Sequence, residues 1–370
     1  MSCGQSNFTP RQGSTDSTSV LPLSVLSSSG PFLVVSNNPE YVGNVSSSHT
    51  LYKYEIPLTS GTQRIRLFLW HVNSLISGGT CYFNVVASLD QGTGTVVDPV
   101  IEEPTPTGDY VSMGVCCAKA HYFGSWNSPG DDISIGTSET SLWATSRSIN
   151  ALAGMVMEFD VALENSATLR LRTTASTSSG IPGSWSDSPL AAVGSKPRGW
   201  WPFSHLDLDG GEFNAKPSSP NTQHTATVSV CDADGPEIGA NGFISLRAGD
   251  IANKGCYGAN LSYKIKLFND GNQIYPVYCY ENIRGTGQPA GGVTGIVDPS
   301  GFLIRGVNNL LASANRHLVR LTVNSSENET PISVPANTTN LPLQIDVAVA
   351  GSTATPFNLN LTGISISPDT

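Results

Sequence analysis

Short blocks of alternating apolar and polar residues recur along this chain, and Gly, Asn, Asp or Pro separates one block from the next. In the clearest block Tyr54, Ile56 and Leu58 alternate with polar residues, and Ile65 and Leu67 resume the alternation after a Gly-containing turn. A period of two places every second side chain on one face of a β-strand. The pattern predicts short strands joined by turns, and this block predicts a hairpin with one buried face.

Composition agrees with a folded β protein rather than with a disordered chain. Charged residues make up only 13% of the chain, whereas disordered chains are normally rich in charge and poor in β-branched and aromatic residues. Helical periodicity is nearly absent, and residues 307–316 are the one segment for which we expect a short helix. The predicted fold class is all-β, with antiparallel β-sandwich or jelly-roll-like domains. No motif selects between jelly-roll and immunoglobulin-like sandwiches.

The length of 370 residues exceeds that of one ordinary core and predicts two or three domains. Residues 1–29 are rich in Ser and Thr and aperiodic, so we expect a flexible N-terminal arm. The turn-dense stretch 173–202 contains the predicted domain boundary. We therefore expect one β-sandwich domain over residues 30–195 and a second over residues 196–370.

Residues 51–67 and 261–277 resemble each other. In both segments a Tyr, an Ile and a Leu alternate with polar residues before a Gly-containing turn, and Tyr54 aligns with Tyr263. The likeness indicates two duplicated sandwiches, but the same pattern is typical of any two hairpins with one solvated face. Both interpretations stay open, and the prediction of two domains depends on neither.

The formal net charge of −10 argues against nucleic acid as a direct partner, because binding to phosphates needs clustered Lys and Arg. A run of about eighteen apolar residues would predict a membrane-spanning helix, and the sequence has none, so we expect no membrane partner. The N-terminal sequence lacks a basic segment followed by an apolar core. We expect synthesis in the cytoplasm without a signal peptide and a function in a virion or an extracellular assembly.

Motifs for catalysis are missing from the sequence. It contains no Gly-x-Ser-x-Gly elbow, no phosphate loop and no dinucleotide fingerprint, and the histidines have no metal-site spacing. The acidic pairs Glu102-Glu103 and Asp131-Asp132 are candidates for the two carboxylates of a glycosidase. Acids in Gly- and Pro-rich loops more often cap turns, so we predict a non-enzymatic protein without a catalytic residue.

Two short segments share the pattern D-x-D-G-x-E. Alternating acids followed by a Gly turn can present several oxygens to one hard cation, which favours structural calcium as the one cofactor to consider. Asp-Gly is also a common hairpin turn, and neither segment is a full EF-hand loop. The candidate calcium ligands are Asp207, Asp209 and Glu212 in the first segment and Asp232, Asp234 and Glu237 in the second.

A cluster of aromatic residues lies beside the first acidic segment. Trp200, Trp201 and His205 stand in a Gly- and Pro-rich stretch next to Asp207. Exposed Trp rings stack on sugar rings while carboxylates bind the hydroxyl groups, so these three residues are the candidate carbohydrate site. The alternative is that the two Trp side chains fill the seam between two domains.

Seven cysteines are scattered along the chain without a C-x-x-C pair. We expect most of them to be buried, reduced and small apolar side chains. Cys3 in the polar arm and the adjacent Cys116 and Cys117 are the exceptions, because they are placed to form disulfide bonds between subunits in an oxidising setting.

Three function classes remain. The one we favour is a structural component of a large assembly, namely a phage capsid, decoration, tail or fibre protein of a virion, or a self-polymerising surface appendage. Its partners would be copies of itself and other assembly components, and the N-terminal arm would add a strand to a neighbour's sheet. The alternatives are a carbohydrate-binding adhesin that recognises surface glycans and a glycan-cleaving enzyme on a β scaffold.

Overall fold

The computed structural model describes residues 15–43, 49–75, 78–106, 110–124, 126–219, 222–232, 234–244, 249–283, 290–297, 303–310, 317–318, 332–349, 351 and 357–364. The elements up to residue 147 are β1 (Thr15–Val20), β2 (Ser24–Ser29), β3 (Phe32–Ser36), β4 (Tyr41–Val42), β5 (His49–Leu58), β6 (Gly61–Asn73), β7 (Cys81–Leu89), β8 (Gly94–Glu102), α1 (Tyr110–Phe123), β9 (Ile133–Ile135) and β10 (Thr140–Arg147). They are followed by β11 (Leu152–Leu163), β12 (Ala167–Ser176), β13 (Arg198–Trp201), β14 (His205–Asn214), β15 (Gln223–Val230), β16 (Asn260–Asn269) and β17 (Tyr275–Ile283). The last strands are β18 (Ala290–Val297), β19 (Leu303–Leu310), β20 (His317–Leu318), β21 (Ile332–Val334), β22 (Thr338–Val349) and β23 (Phe357–Ile364).

The chain divides into two compact units. The first unit contains Ser29–Ser204 and Phe243–Asn253, and the second contains Met1–Ser28, His205–Gly242 and Lys254–Thr370. The predicted boundary at 195/196 lies nine residues before the division at 204/205. Two segments belong to a unit that the sequence did not predict for them. The N-terminal segment belongs with the C-terminal half, and an eleven-residue segment of that half belongs to the first unit.

The first unit is a β-sandwich. Its larger sheet has the strand order β13-β3-β6-β11-β8-β9 with β4 beside β6, and its smaller sheet has the order β10-β7-β12-β5. The core contains apolar side chains from both sheets, among them Met157 and Phe159 from β11 and Leu171 from β12. Both β3 and β4 run parallel to β6, so the larger sheet is mixed and not purely antiparallel as predicted.

The helix α1 was not predicted from the sequence. The helix packs on β11 and β8. Small and apolar residues such as Val115, Cys117 and Ala120 are buried along it. Because the helix carries no charged face opposite an apolar stripe, its sequence lacks the period that identifies a surface helix.

The hairpin prediction for β5 and β6 is wrong. Strand β5 pairs with β12 in the smaller sheet, while β6 pairs with β11 in the larger one, so the turn at Thr59–Ser60 joins two sheets. The buried alternation itself is confirmed, since Tyr54, Ile56 and Leu58 are all buried. Strands β11 and β12 are also consecutive in the chain and likewise lie in different sheets. A turn sequence shows where the chain reverses, but not which sheet the next strand joins.

Within the described residues, the second unit contains two six-stranded sheets. One has the order β1-β15-β23-β17-β20 with β21 beside β17, and the other has the order β19-β18-β22-β16-β14-β2. Strand β1 is parallel to β15 and β14 is parallel to β16. Of the helix predicted over residues 307–316, the part up to Leu310 is wrong because it lies in β19, and residues 311–316 lie outside the described residues.

The prediction of a flexible arm over residues 1–29 is wrong for residues 15–29. Residues 15–29 form β1 and β2, each at the end of a sheet, while residues 1–14 lie outside the described residues. The Ser- and Thr-rich segment has no apolar alternation because an edge strand need not bury one face. The likeness of 51–67 to 261–277 extends to topology, since β16 and β17 also lie in different sheets of their unit. That feature does not establish duplication, which stays a prediction.

Candidate functional site

The N-terminal strands occupy an edge of each sheet in the second unit. Strand β1 runs beside β15, with Val20 in register with Thr227. Just after it the Leu21 backbone N–H donates a 2.9 Å hydrogen bond to the Thr227 carbonyl. Leu21 is only 6% exposed and is the buried apolar anchor of the segment. Strand β2 then continues beside β14 in the other sheet. One segment of fifteen residues, 15–29, therefore supplies the end strand of both sheets. We call it the N-terminal strand segment.

The N-terminal strand segment buries little apolar surface. Among its larger aliphatic side chains Val20 is 70% exposed and Leu26 is 54% exposed, while Leu23 and Val25 are half-buried. Its side-chain link to β14 is polar, because Ser27 Oγ donates a 2.6 Å hydrogen bond to Asp207 Oδ2. Hydrogen bonds to a sheet edge thus hold β2 with little help from burial.

Asp207 is the centre of a charged row on β14 and β16. Its Oδ1 lies 3.0 Å from Lys264 Nζ, with which it forms a salt bridge, and 3.5 Å from His205 Nε2. Partial burial acts to raise the pKa of Asp207, but the hydrogen bonds from Ser27 and Lys264 and the positive charge of Lys264 outweigh it, so the pKa is lowered. Further along the row Glu212 lies 3.8 Å from Lys266.

The first D-x-D-G-x-E segment is a bulge on β14 rather than a calcium loop. The strand register shifts between Asp209 and Glu212, and the Gly211 backbone N–H donates to Asp209 Oδ1 at 2.9 Å. Gly211 has a φ of +68°, and a Cβ at this position would lie 3.2 Å from Pro22 of the N-terminal strand segment. The bulge therefore fits the backbone of β14 closely against that segment.

The second D-x-D-G-x-E segment is a tight turn after β15. Asp232 Oδ2 accepts a bond from Ser229 Oγ and its Oδ1 accepts one from the Asp234 backbone N–H. Glu237 is fully buried, and its Oε1 accepts a 2.9 Å bond from the Tyr263 hydroxyl. Burial raises the pKa of Glu237, which opposes its ionisation and its use as a calcium ligand.

The structure does not support the calcium interpretation. Among the described residues no group of three or more His, Cys, Asp or Glu side chains is arranged to hold a metal ion. In the first segment Asp207 and Glu212 lie beside lysine side chains of β16, and in the second Asp232 caps the turn and Glu237 is buried. Sequence spacing placed acids near one another, but it did not reveal the lysines that face them.

The candidate carbohydrate site is not formed as predicted. Trp201 is fully buried, its Nε1 donates a 2.6 Å bond to the Ile244 carbonyl, and its ring meets Phe243 edge-on at 6.0 Å. Trp200 is half-buried and packs against Phe32. The buried Trp201 ring offers no open face on which a sugar could stack. His205 belongs to the second unit, whereas Trp200 and Trp201 belong to the first.

The cysteines are placed as expected in part. Cys81, Cys117, Cys231 and Cys256 are buried free thiols, and burial raises the pKa of Cys117 above its usual value. Cys116 is partly exposed and already disulfide-bonded within the chain, and Cys117 is buried, so the structure does not support their predicted bonds between subunits. Cys3 lies outside the described residues, so its bond between subunits stays a prediction.

Sequence reasoning missed a buried polar cluster in the first unit. Ser36 Oγ lies 2.9 Å from His71 Nε2 and 3.0 Å from Thr173 Oγ1, and His71 Nδ1 lies 2.7 Å from the Pro39 carbonyl oxygen. A serine beside a histidine is the start of a nucleophile–base pair. Here both side chains are fully buried, and burial lowers the pKa of His71 to about 4. The cluster satisfies buried polar groups in the core.

A groove of about 520 Å³ lies at one end of the larger sheet of the first unit. Its lining includes Thr62, Thr95, Ser134 and Glu164, together with glycine and aliphatic residues and no aromatic ring. It offers hydrogen-bonding groups but no stacking surface.

Comparisons with known proteins give only weak likenesses. No family model matches the chain, and no curated protein matches it. The match to a crystal structure of the PBSX exported protein XepA covers 88% of this chain and 90% of the XepA chain, at 10% identity and a TM-score of 0.20. The N-terminal CBM22-1-CBM22-2 tandem domain of Paenibacillus barcinonensis Xyn10C covers 88% and 100%, at 9% identity and a TM-score of 0.17.

A third structure, described as the triple jelly roll fold and turret assembly in an archaeal virus, covers 84% of this chain and 58% of its own. Its identity is 11% and its TM-score 0.17. Likenesses at these TM-scores determine neither fold nor function. Within the part of the chain that the structure describes, no helix is long and apolar enough to cross a membrane.

Proposed function

We propose that this chain is a non-enzymatic structural component of a large assembly, that the assembly is a virion, and that copies associate through the sheet edges of the second unit. The observation that carries the proposal is the position of the N-terminal strand segment. Residues 15–29 end one sheet with β1 and the other with β2. A terminal segment that adds strands to sheets is a common means by which protein subunits join.

The outer edges of these strands support the same conclusion. Among the described residues no strand pairs with the far side of β1 or β2. An edge strand presents unpaired N–H and C=O groups, which can pair with another chain. Val20 on β1 and Leu26 on β2 expose aliphatic surface to solvent. Burial of this surface against another chain would be favourable.

The low fraction of charged residues is compatible with a protein whose surface is buried against other copies of the same chain. Only 13% of residues are charged, and charged residues are depleted at the centres of protein interfaces because burying them is unfavourable. The carbohydrate-binding alternative lost its main support when Trp201 proved to be buried. We therefore favour the structural function over the binding module.

Light scattering on two matched variants tests the proposal. Val20→Lys places a charge on the edge of the second unit, while Ile149→Lys makes the same kind of change on a turn of the first unit. We expect full-length protein and Ile149→Lys to form particles much larger than the 38.9 kDa chain, and Val20→Lys to reduce their mass at least several-fold. Equal particle masses in the two variants would show that this edge is not the contact.

A further inference from the structure

We propose that the partner in the assembly is a second copy of the chain and that neighbouring copies exchange the N-terminal strand segment. Residues 15–29 of one copy would then dock on β14 and β15 of its neighbour. This inference rests on the proposed assembly function. It names the segment that β14 and β15 bind in the assembly, which is residues 15–29 of a neighbouring copy.

The hinge is short and can change conformation. Strand β2 ends at Ser29 and β3 begins at Phe32, so only Gly30 and Pro31 join them. Gly30 has a φ of +84°, a turned conformation that glycine adopts without strain. A residue before proline otherwise prefers an extended backbone, and glycine can also adopt that conformation freely. A rotation at Gly30 therefore redirects the whole segment, and short hinges of this kind favour exchange between copies.

The segment can leave without exposing a large core. Its two strands lie at sheet edges, and Val20 and Leu26 are already exposed. The buried Leu21 and the half-buried Leu23 and Val25 are the apolar side chains that must be withdrawn. Docking on a neighbour restores the same contacts, so the exchanged and closed forms differ mainly in hinge conformation and in the entropy of association. At high protein concentration, as in a growing particle, the exchanged form is favoured by mass action.

The receptor strands fit this segment specifically. The Thr227 carbonyl accepts the Leu21 N–H, Asp207 accepts the Ser27 hydroxyl, and the Gly211 bulge leaves room for Pro22. These contacts match the chain's own residues, which favours a second copy over an unrelated partner.

Cross-linking distinguishes exchange from docking within one chain. Val20 and Thr227 are neighbours in register across β1 and β15. A chain carrying Val20→Cys is co-expressed with a differently tagged chain carrying Thr227→Cys, and the purified particles are oxidised and run without reductant. Wild-type protein and each single variant expressed alone control for the native cysteines. The chain carrying both substitutions shows that the pair can form a bond.

Exchange predicts a mixed-tag band near twice the 38.9 kDa chain mass in the co-expressed sample, several-fold stronger than in any control. Particles that form without this band, while the double variant gives only a bond within one chain, would overturn exchange and leave the assembly function standing. If no particles form, the assembly function fails and the exchange that rests on it fails too.

Discussion

Ser27 and Asp207 lie 180 residues apart in the chain, and Ser27 Oγ donates a 2.6 Å hydrogen bond to Asp207 Oδ2. The bond joins β2 to β14 and so ties the N-terminal strand segment to the C-terminal half of the protein. Lys264 binds the other oxygen of the same carboxylate at 3.0 Å. One acidic side chain thus connects the N-terminal strand segment with the charged row on β14 and β16.

Low pH should weaken the docking of β2 on β14. The lowered pKa of Asp207 means that its ionised form is favoured when β2 is docked, so this contribution is present above the ordinary value of 3.8 and is lost as pH falls through the lowered pKa. Hydrogen exchange of residues 24–29 should therefore speed up below about pH 4, beyond the intrinsic pH effect. Asp207→Asn should remove this dependence, whereas Glu164→Gln, an exposed acid in the first unit, should not. An unchanged dependence in Asp207→Asn would contradict the assignment.

The fit between Gly211 and Pro22 can be separated from backbone strain. Gly211→Ala and Gly92→Ala both force alanine into a left-handed conformation, at φ +68° and +71°, which costs about 1 kcal/mol each. Only the new Cβ at 211 would meet a neighbour, Pro22 at 3.2 Å, while the space at Gly92 is open. We expect Gly211→Ala alone to increase hydrogen exchange in residues 15–29. The same increase in both variants would show that Pro22 is not the cause.

Glu237 should make the protein less stable as pH rises. Burial raises its pKa, so the folded state holds the proton more tightly, and stability falls as pH increases from 4.5 through the raised value. Glu237→Gln keeps an acceptor for the Tyr263 hydroxyl and cannot ionise. Relative to wild type, its unfolding free energy should rise as pH increases above 4.5 in denaturant titrations. A constant difference across this range would mean that Glu237 does not titrate there.

The two tryptophans should differ in their effect on stability. Trp201→Ala removes a fully buried ring and its bond to Ile244, so it should reduce the unfolding free energy by about 3–5 kcal/mol. Trp200→Ala removes a half-buried ring and should cost less. Denaturant unfolding followed by far-ultraviolet circular dichroism measures both. Equal and small losses would contradict the core position of Trp201.

Alternation identified the strands that bury one face, as Tyr54 and Tyr263 illustrate, because one buried face imposes a period of two. It did not identify the sheet to which each strand belongs, since the turn after Leu58 has the same chemistry whether it forms a hairpin or joins two sheets. The strands over residues 15–29 were missed because an edge strand needs no apolar face. Helix α1 was missed because it has no polar face to create a stripe.

The candidate site was predicted only in outline. The sequence marked Asp207 and Glu237 as unusual acids, but their partners Ser27, Lys264 and Tyr263 are distant along the chain or belong to neighbouring strands. Exposed and buried Trp residues have the same local sequence signals, so the burial of Trp201 depended on the return of residues 243–253 to the first unit. Contacts set by long-range pairing need the three-dimensional structure.

Negative-stain electron microscopy of the purified full-length protein tests the central claim most directly. The proposed function predicts regular particles such as rings, tubes, fibres or shells, and loss of those particles in Val20→Lys but not in Ile149→Lys. Comparison with and without reductant would also test the predicted role of Cys3. Monodisperse single chains at every protein concentration would contradict the claim that this protein builds an assembly.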